Sequence, residues 1–143
     1  KELIMQAERP VVLAGYGIRQ SNQVDQFVHF VEQYQIPYVS TYGARDYTAN
    51  EHPLSIGAVG QRGSRAGNFA MQNADLLLIL GSSLNASVVG YDPTQFSPAS
   101  FKIAVELSAY KYSQIENVKY LAASVDYADF EYRVKTLKYL GKF

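Results

Sequence analysis

The sequence predicts an α/β domain built on a parallel sheet with helices on both faces. Three observations predict it. Short runs that are apolar throughout alternate with segments of helical period, each run ends in Gly or a small polar residue, and the strongest, Leu76-Leu77-Leu78-Ile79-Leu80, is nearly all leucine. A half-exposed strand alternates apolar with polar residues, so strands apolar at every position belong inside a sheet covered on both sides.

Leu3, Ile4 and Ala7 predict a short helical lead-in that stops before Pro10, since the residue ahead of a proline disfavours helical backbone. Val11-Val12-Leu13-Ala14 is the first strand and ends at Gly15. From Ser21 the period becomes helical, with Val24, Phe27, Val28 and Val31 three and four apart, until Gln35 before Pro37. Tyr38-Val39-Ser40 is the second strand. Thr41 to Gly63 carries five Gly and Pro and little periodicity, with a short strand near Ser55-Ile56-Gly57; a loop of that length is expected to be functional. Ser64 is the N-cap of a helix reaching about Asn73, with Ala66, Phe69 and Ala70 on one face. Asp75 to Leu80 is the clearest strand, followed by the small polar stretch Ser82 to Ser87. A proline-containing loop, Tyr91 to Pro98, leads to a strand Phe101 to Leu107; Lys119 to Ala122 is a last strand and Val125 to Leu140 a closing helix. With no repeat and no linker, residues 1–143 read as one domain.

Composition excludes several classes of function. The 143 residues carry 13 Lys and Arg against 13 Asp and Glu, are 48% hydrophobic, and include 12 Tyr and 7 Phe but no Cys or Trp. A chain of this size buries about two-thirds of its unfolded surface, enough for one core without disulfide or structural metal. The absence of cysteine removes thiolate zinc sites, iron–sulfur clusters and thiol nucleophiles. Zero formal net charge with no basic or acidic block argues against nucleic acid or an anionic membrane as the main partner. The longest apolar run is far short of the roughly 20 residues a membrane-spanning helix needs. Lys1 opens straight into helix-like sequence with neither initiator Met nor signal-peptide pattern, so the expectation is a piece of a longer cytoplasmic protein.

In parallel sheets ligands bind beyond the carboxyl ends of the strands, where the strand order reverses. Gly15-Tyr16-Gly17-Ile18-Arg19-Gln20 holds the first two glycines of a dinucleotide fingerprint, but Gln20 stands at the third position and no acidic residue ends the second strand. Two readings stay open there: a shortened phosphate cradle and a plain glycine turn. Gly57-Ala58-Val59-Gly60-Gln61-Arg62-Gly63-Ser64-Arg65 combines flexible backbone, two cations, a hydroxyl and a helix start. It reads as an anion site, with a diphosphate at Gly63 and Ser64 paired by Arg62 or Arg65, or as arginines in solvent or against another subunit. His29 reads as a helix-surface residue and His52 as an ordering residue of the long loop. Neither histidine has a partner at catalytic or metal-binding spacing, and Asp92, Glu106 and Asp126 are scattered singly. Tyr34, Tyr38, Tyr42, Tyr47 and Tyr91 suit core and contact surfaces.

The ordered blocks Arg9 to Gly17, Ile36 to Thr41, His52 to Gly63 and Ala74 to Gly81 resemble the central domain of thiamine-diphosphate enzymes, the acetolactate synthase group above all. The resemblance implies a three-layer α/β/α, Rossmann-like domain with a six-stranded, mostly parallel sheet, lying between a pyrimidine-binding and a diphosphate-binding domain that are absent here. It implies a homo-oligomeric parent that uses thiamine diphosphate and magnesium to decarboxylate or join 2-oxo acids, the flanking domains being this domain's partners. In that family the catalytic glutamate and the metal-binding Gly-Asp-Gly motif belong to the flanking domains. No catalytic or metal-ligating residue is therefore expected in this chain, which alone should not be an enzyme.

Some relatives hold FAD in this domain, and the matching positions are Gly15, Gly17, Thr41, Gly60, Arg62, Gly63 and Gly81. Where those relatives carry an Arg followed by Asp-Asp-Arg, this chain has Ser83 and Asn85-Ala86-Ser87, and the acidic pair of the next strand is reduced to Glu106 with Ser108 two residues on. Loss of the charges that grip ribose and phosphate favours an empty, structural domain over a flavin-bound one. The competing readings are an independent FAD- or NAD-binding module and a ligand-free interaction domain.

Overall fold

The computed structural model describes residues 2–49, 51–106 and 118–122. The expected closing helix and Leu107 lie outside them. In chain order the elements are α1 (Glu2–Gln6), β1 (Pro10–Ala14), α2 (Gly17–Gln20), α3 (Val24–Tyr34), β2 (Tyr38–Ser40), β3 (Ser55–Ala58), α4 (Arg65–Gln72), β4 (Leu76–Leu80), α5 (Ala86–Val89), β5 (Phe101–Glu106) and β6 (Val118–Ala122), with 3-10 turns at Tyr42–Ala44 and Pro93–Gln95. The six strands make one sheet in the order β3-β2-β1-β4-β5-β6, and every neighbouring pair is parallel. This is the Rossmann-like arrangement the sequence implied.

The apolar strands feed two cores because side chains alternate between faces. Val11, Leu13, Val39, Leu77, Ile79 and Ala104 point to one side and pack with Met71 of α4, Val89 of α5 and Phe96. Val12, Ala14, Tyr38, Leu76, Leu78 and Ile103 point to the other, where Phe27, Phe30 and Val31 of α3 cover them at the expected spacing. The buried polar groups are bonded. On β5, Lys102 is 1% exposed and its Nζ donates to the Ser100 carbonyl, while Ser97 Oγ donates to the Met71 carbonyl.

Two helices differ from expectation. The helix read from Ser21 begins at Val24, after the separate turn α2; Asn22 breaks the two with φ 58°, a conformation asparagine tolerates. In α4, Ser64 is the N-cap as expected, its Oγ accepting from Gly67 N at 3.0 Å, but the buried residues are Gly67 and Met71. Ala66 is exposed and Phe69 is 68% exposed. The cause is Gly67: a Cβ there would lie 2.4 Å from the Ala58 carbonyl oxygen. The helix backbone therefore rests directly on the end of β3, which turns Phe69 outward.

At the amino ends of the strands, Asp75 accepts from Glu8 N at 2.7 Å and Arg9 N at 3.0 Å. The carboxylate ties the start of β1 to the start of β4. Burial alone raises the Asp75 pKa, but the amide bonds from Glu8 and Arg9 outweigh it and hold the group below its ordinary value.

Candidate functional site

The strand order reverses between β1 and β4, and a cleft of about 550 Å³ opens at the carboxyl ends of the strands. Tyr16, Gly17 and Gln20 line it from the turn after β1; Thr41, Tyr42 and Gly43 from the loop after β2; Val59, Gln61 and Arg62 from the loop after β3. Gly81, Ser82, Ser83, Asn85, Ser87 and Val88 close it from the segment after β4.

Of the seven residues the sequence singled out, Gly17, Thr41, Arg62 and Gly81 line this cleft, and Gly15, Gly60 and Gly63 do not. Those three hold the rim together by close backbone packing. A Cβ on Gly15 would sit 2.2 Å from the Gly81 carbonyl oxygen, one on Gly60 2.4 Å from that of Ser87, and one on Gly63 2.6 Å from that of Ala58. Gly60, at φ +95°, is gripped twice by Asn68: its N–H donates to Asn68 Oδ1 at 2.8 Å, and Asn68 Nδ2 donates to its carbonyl at 3.0 Å.

Both glycine segments spend most of their backbone donors internally. After β1, Gly15 N donates to Leu80 O (2.8 Å), Gly17 N to Gly81 O (2.8 Å), Ile18 N to Gly15 O (3.3 Å) and Arg19 N to Tyr16 O (3.0 Å). After β3, Val59 N donates to Ser40 O, Gln61 N to Ser87 O, Gly63 N to Gly60 O and Ser64 N to Ala58 O, all at 2.8–2.9 Å. At Gly63 and Ser64, the expected diphosphate position, both N–H groups already donate to turn and strand-end carbonyls. Arg65, which begins α4, is not among the residues lining the cleft.

What the cleft offers is side chains. Among the described residues Arg62 is the one charged residue lining it, and the hydroxyls and amides of Thr41, Gln20, Gln61, Ser83 and Asn85 are neutral donors and acceptors. Tyr16 and Tyr42, 52% and 74% exposed, stand at its edge, and Arg45 lies 6.0 Å from the Tyr42 ring centre. Arg19 is held elsewhere, paired with Asp46 Oδ1 at 2.7 Å; that bond raises its pKa against the opposing effect of desolvation. Tyr47 is 7% exposed, and burial pushes its phenol above the ordinary range despite the nearby Arg19. Sequence reading passed over Gln20, Gln61 and Tyr16 as lining residues. Each lies two to six residues past the end of a strand, which is the signal that could have found them.

The histidines stand where expected. His29 is exposed, and His52 orders the loop: Nε2 lies 3.2 Å from Glu32 Oε1 and Nδ1 accepts from Leu54 N at 3.3 Å. Among the described residues no group of three or more His, Asp or Glu is placed to hold a metal ion, and no helix is long and apolar enough to cross a membrane. Arranged this way, the cleft can hold a ligand by stacking, neutral hydrogen bonds and one cation. It presents no acid–base pair.

Comparison with known proteins agrees with the geometry. The family model described as thiamine pyrophosphate enzyme, central domain, matches residues 1–129. The acetolactate synthase large subunit of Lactococcus lactis is 36% identical over 109 residues, covering 76% of this chain and 19% of that protein. A probable acetolactate synthase large subunit of Methanocaldococcus jannaschii is 32% identical over 106 residues, 74% of this chain and 18% of that one. The 3D-(3,5/4)-trihydroxycyclohexane-1,2-dione hydrolase of Geobacillus thermodenitrificans is 29% identical over 121 residues, 85% of this chain and 19% of the other. The chain thus spans about a fifth of the length of these relatives.

Proposed function

The chain belongs to the family of thiamine pyrophosphate enzyme central domains, and from that premise we propose that it serves as the structural middle domain of a thiamine-diphosphate- and magnesium-dependent enzyme that decarboxylates or joins 2-oxo acids. Flanking domains of the same polypeptide supply the chemistry, in a cytoplasmic homo-oligomer. The observation that carries the structural role is the bonding of the glycines themselves: the N–H groups of Gly15, Gly17, Gly60 and Gly63 all donate within the chain, so these four need no ligand to satisfy them. The described residues of this cleft do not fit thiamine diphosphate with its magnesium: magnesium takes oxygen ligands, carboxylates above all, and no carboxylate is among them.

A second reading, a FAD- or NAD-binding module, draws support from the size of the cleft, its tyrosine edge and Arg62. In that reading Arg62 holds the ligand's phosphates and Thr41, Ser83 and Asn85 its hydroxyls. The two readings part in one experiment on the intact protein, a flavin absorbance spectrum followed by melting scans with FAD, ADP and NAD. A bound ligand shifts the midpoint by RT ln(1 + [L]/Kd). The structural reading expects a colourless protein and unshifted midpoints, while pyruvate consumption by the intact protein depends on thiamine diphosphate and magnesium. A shift with FAD, ADP or NAD overturns the structural reading in favour of the second.

A further inference from the structure

The turn after β1 and the loop after β2 supply six of the residues lining the cleft, yet they are separate pieces of chain. Tyr47 joins them from the core side. Tyr47, in the loop after β2, sends its hydroxyl into the turn after β1, where it donates to the Gly15 carbonyl at 2.8 Å and accepts from Arg19 N at 3.2 Å. Its ring is fixed on both sides: Phe27 meets it edge-on with centroids 5.8 Å apart, and the Arg19 guanidinium lies 5.2 Å from its centre. The same guanidinium pairs with Asp46, the residue before Tyr47. Two further contacts run parallel to this clamp. Thr41 N donates to Ala14 O at 2.9 Å, and the Tyr16 ring covers Gly43, where an added Cβ would lie 3.1 Å from it.

We infer that Tyr47 is the positioning residue of the cleft: its phenol locks the turn after β1 and the loop after β2 into one wall that presents Tyr16, Thr41 and Tyr42 as a single preformed surface. The geometry suits a clamp better than a general core residue. The ring belongs to the α3-side core, but the hydroxyl reaches the neighbouring turn, where it bonds the Gly15 carbonyl and the Arg19 N–H. Nor are those groups orphaned without it, since Gly15 O also accepts from Ile18 N and Arg19 N also donates to Tyr16 O. The phenol is therefore not needed to satisfy the turn; it registers the turn against the loop. This inference stands on contacts within the chain and holds whichever reading of the cleft is correct.

Tyr47→Phe keeps the ring and removes both bonds. Hydrogen exchange of the intact protein, compared between wild type and this variant, reads the consequence on peptides spanning 15–20, 41–49, and the β1 and β4 strands. The expected result is exchange about fivefold or more faster in both 15–20 and 41–49, with β1 and β4 unchanged. Faster exchange in 41–49 alone would show a loop anchor and no shared wall, a uniform rise across all four peptides would show a general stability residue, and no change would show an idle hydroxyl; each overturns the inference. Should the variant not fold, Asp46→Asn, at a carboxylate 71% exposed, releases Arg19 from its pair. It should loosen the same two segments together by a smaller factor, and an effect on one of them alone overturns the clamp.

Discussion

Gly15→Ala separates a glycine kept for space from one kept for backbone conformation or for a ligand. No left-handed φ is recorded at Gly15, so alanine meets only a steric barrier there. Its Cβ would lie 2.2 Å from the Gly81 carbonyl oxygen, 2.5 Å from Gly81 C and 2.5 Å from Ser82 Cα, all of them backbone atoms. That is about 1 Å short of an ordinary contact. Overpacking of this kind costs about 1–3 kcal/mol. Relief requires the turns after β1 and β4 to part, which strains the 2.8 Å bonds from Gly15 N to Leu80 O and from Gly17 N to Gly81 O, each contributing about 1 kcal/mol. Alanine also restricts the unfolded chain, which returns about 0.4–1 kcal/mol. The balance is a loss of about 2–4.5 kcal/mol, or a midpoint lower by roughly 10 °C. Gly90→Ala is the control: at φ +91° with no heavy atom within 4 Å of its Cβ, it should lose only about 1–2 kcal/mol to left-handed backbone. Urea unfolding of the intact protein, followed through exchange of the β1 and β4 amides, assigns the transition to this domain. A Gly15→Ala protein no less stable than Gly90→Ala would refute the packing role, and a phosphate-cradle glycine would become the better account.

Further expected outcomes test other joints. Asp75→Ala should destabilise by about 1.5–3 kcal/mol, because it removes a carboxylate bonded to two amides, as measured by urea unfolding at pH 7. The folded pKa of Asp75 lies below its unfolded value of about 3.9, so its contribution is complete above that pH and fades as pH falls through the folded value; the gap between wild type and variant should narrow in acid. Asn68→Ala removes both bonds to Gly60 and should cost about 1–3 kcal/mol while hastening proteolysis within 59–63. Phe69→Ser should change stability by no more than about 0.5 kcal/mol, since the ring is 68% exposed; a loss of about 3 kcal/mol would mean that the helix faces the other way.

Strand identity and the parallel sheet were legible because Val11 to Ala14 and Leu76 to Leu80 are apolar on both faces, a pattern few other structures allow. The N-cap at Ser64 was legible because capping is local chemistry. The phase of α4 was not, because Gly67 adds nothing to a hydrophobic pattern and yet decides which way the helix leans on β3. Four of the seven proposed site residues reached the cleft because strand ends converge there; the other three glycines looked the same in sequence but answer to tertiary contacts with Gly81, Ser87 and Ala58. Tyr47 was hidden for a similar reason: its partner Gly15 is 32 residues away, and nothing in a loop tyrosine announces that distance.

The accounting of donors bears on what such a cleft can become. In a dinucleotide domain the glycine turn leaves its N–H groups facing the phosphates, so ligand and backbone are bound to one another's geometry. Here the turn after β1 is knitted to the turn after β4, and the segment after β3 to β2 and to Ser87, by bonds that need no ligand. The glycine N–H groups being used, side chains such as Arg62, Thr41, Ser83 and Asn85 carry most of what the cleft can offer a ligand. Side chains can be exchanged without moving a strand, whereas a glycine whose added Cβ would lie 2.2 Å from a neighbouring carbonyl oxygen cannot. It follows that Gly15, Gly60 and Gly63 would be retained by a domain that binds nothing as faithfully as by one that binds a nucleotide. The character of Ser83, Asn85 and Arg62, and not the glycine pattern, is where a ligand for this fold must be read.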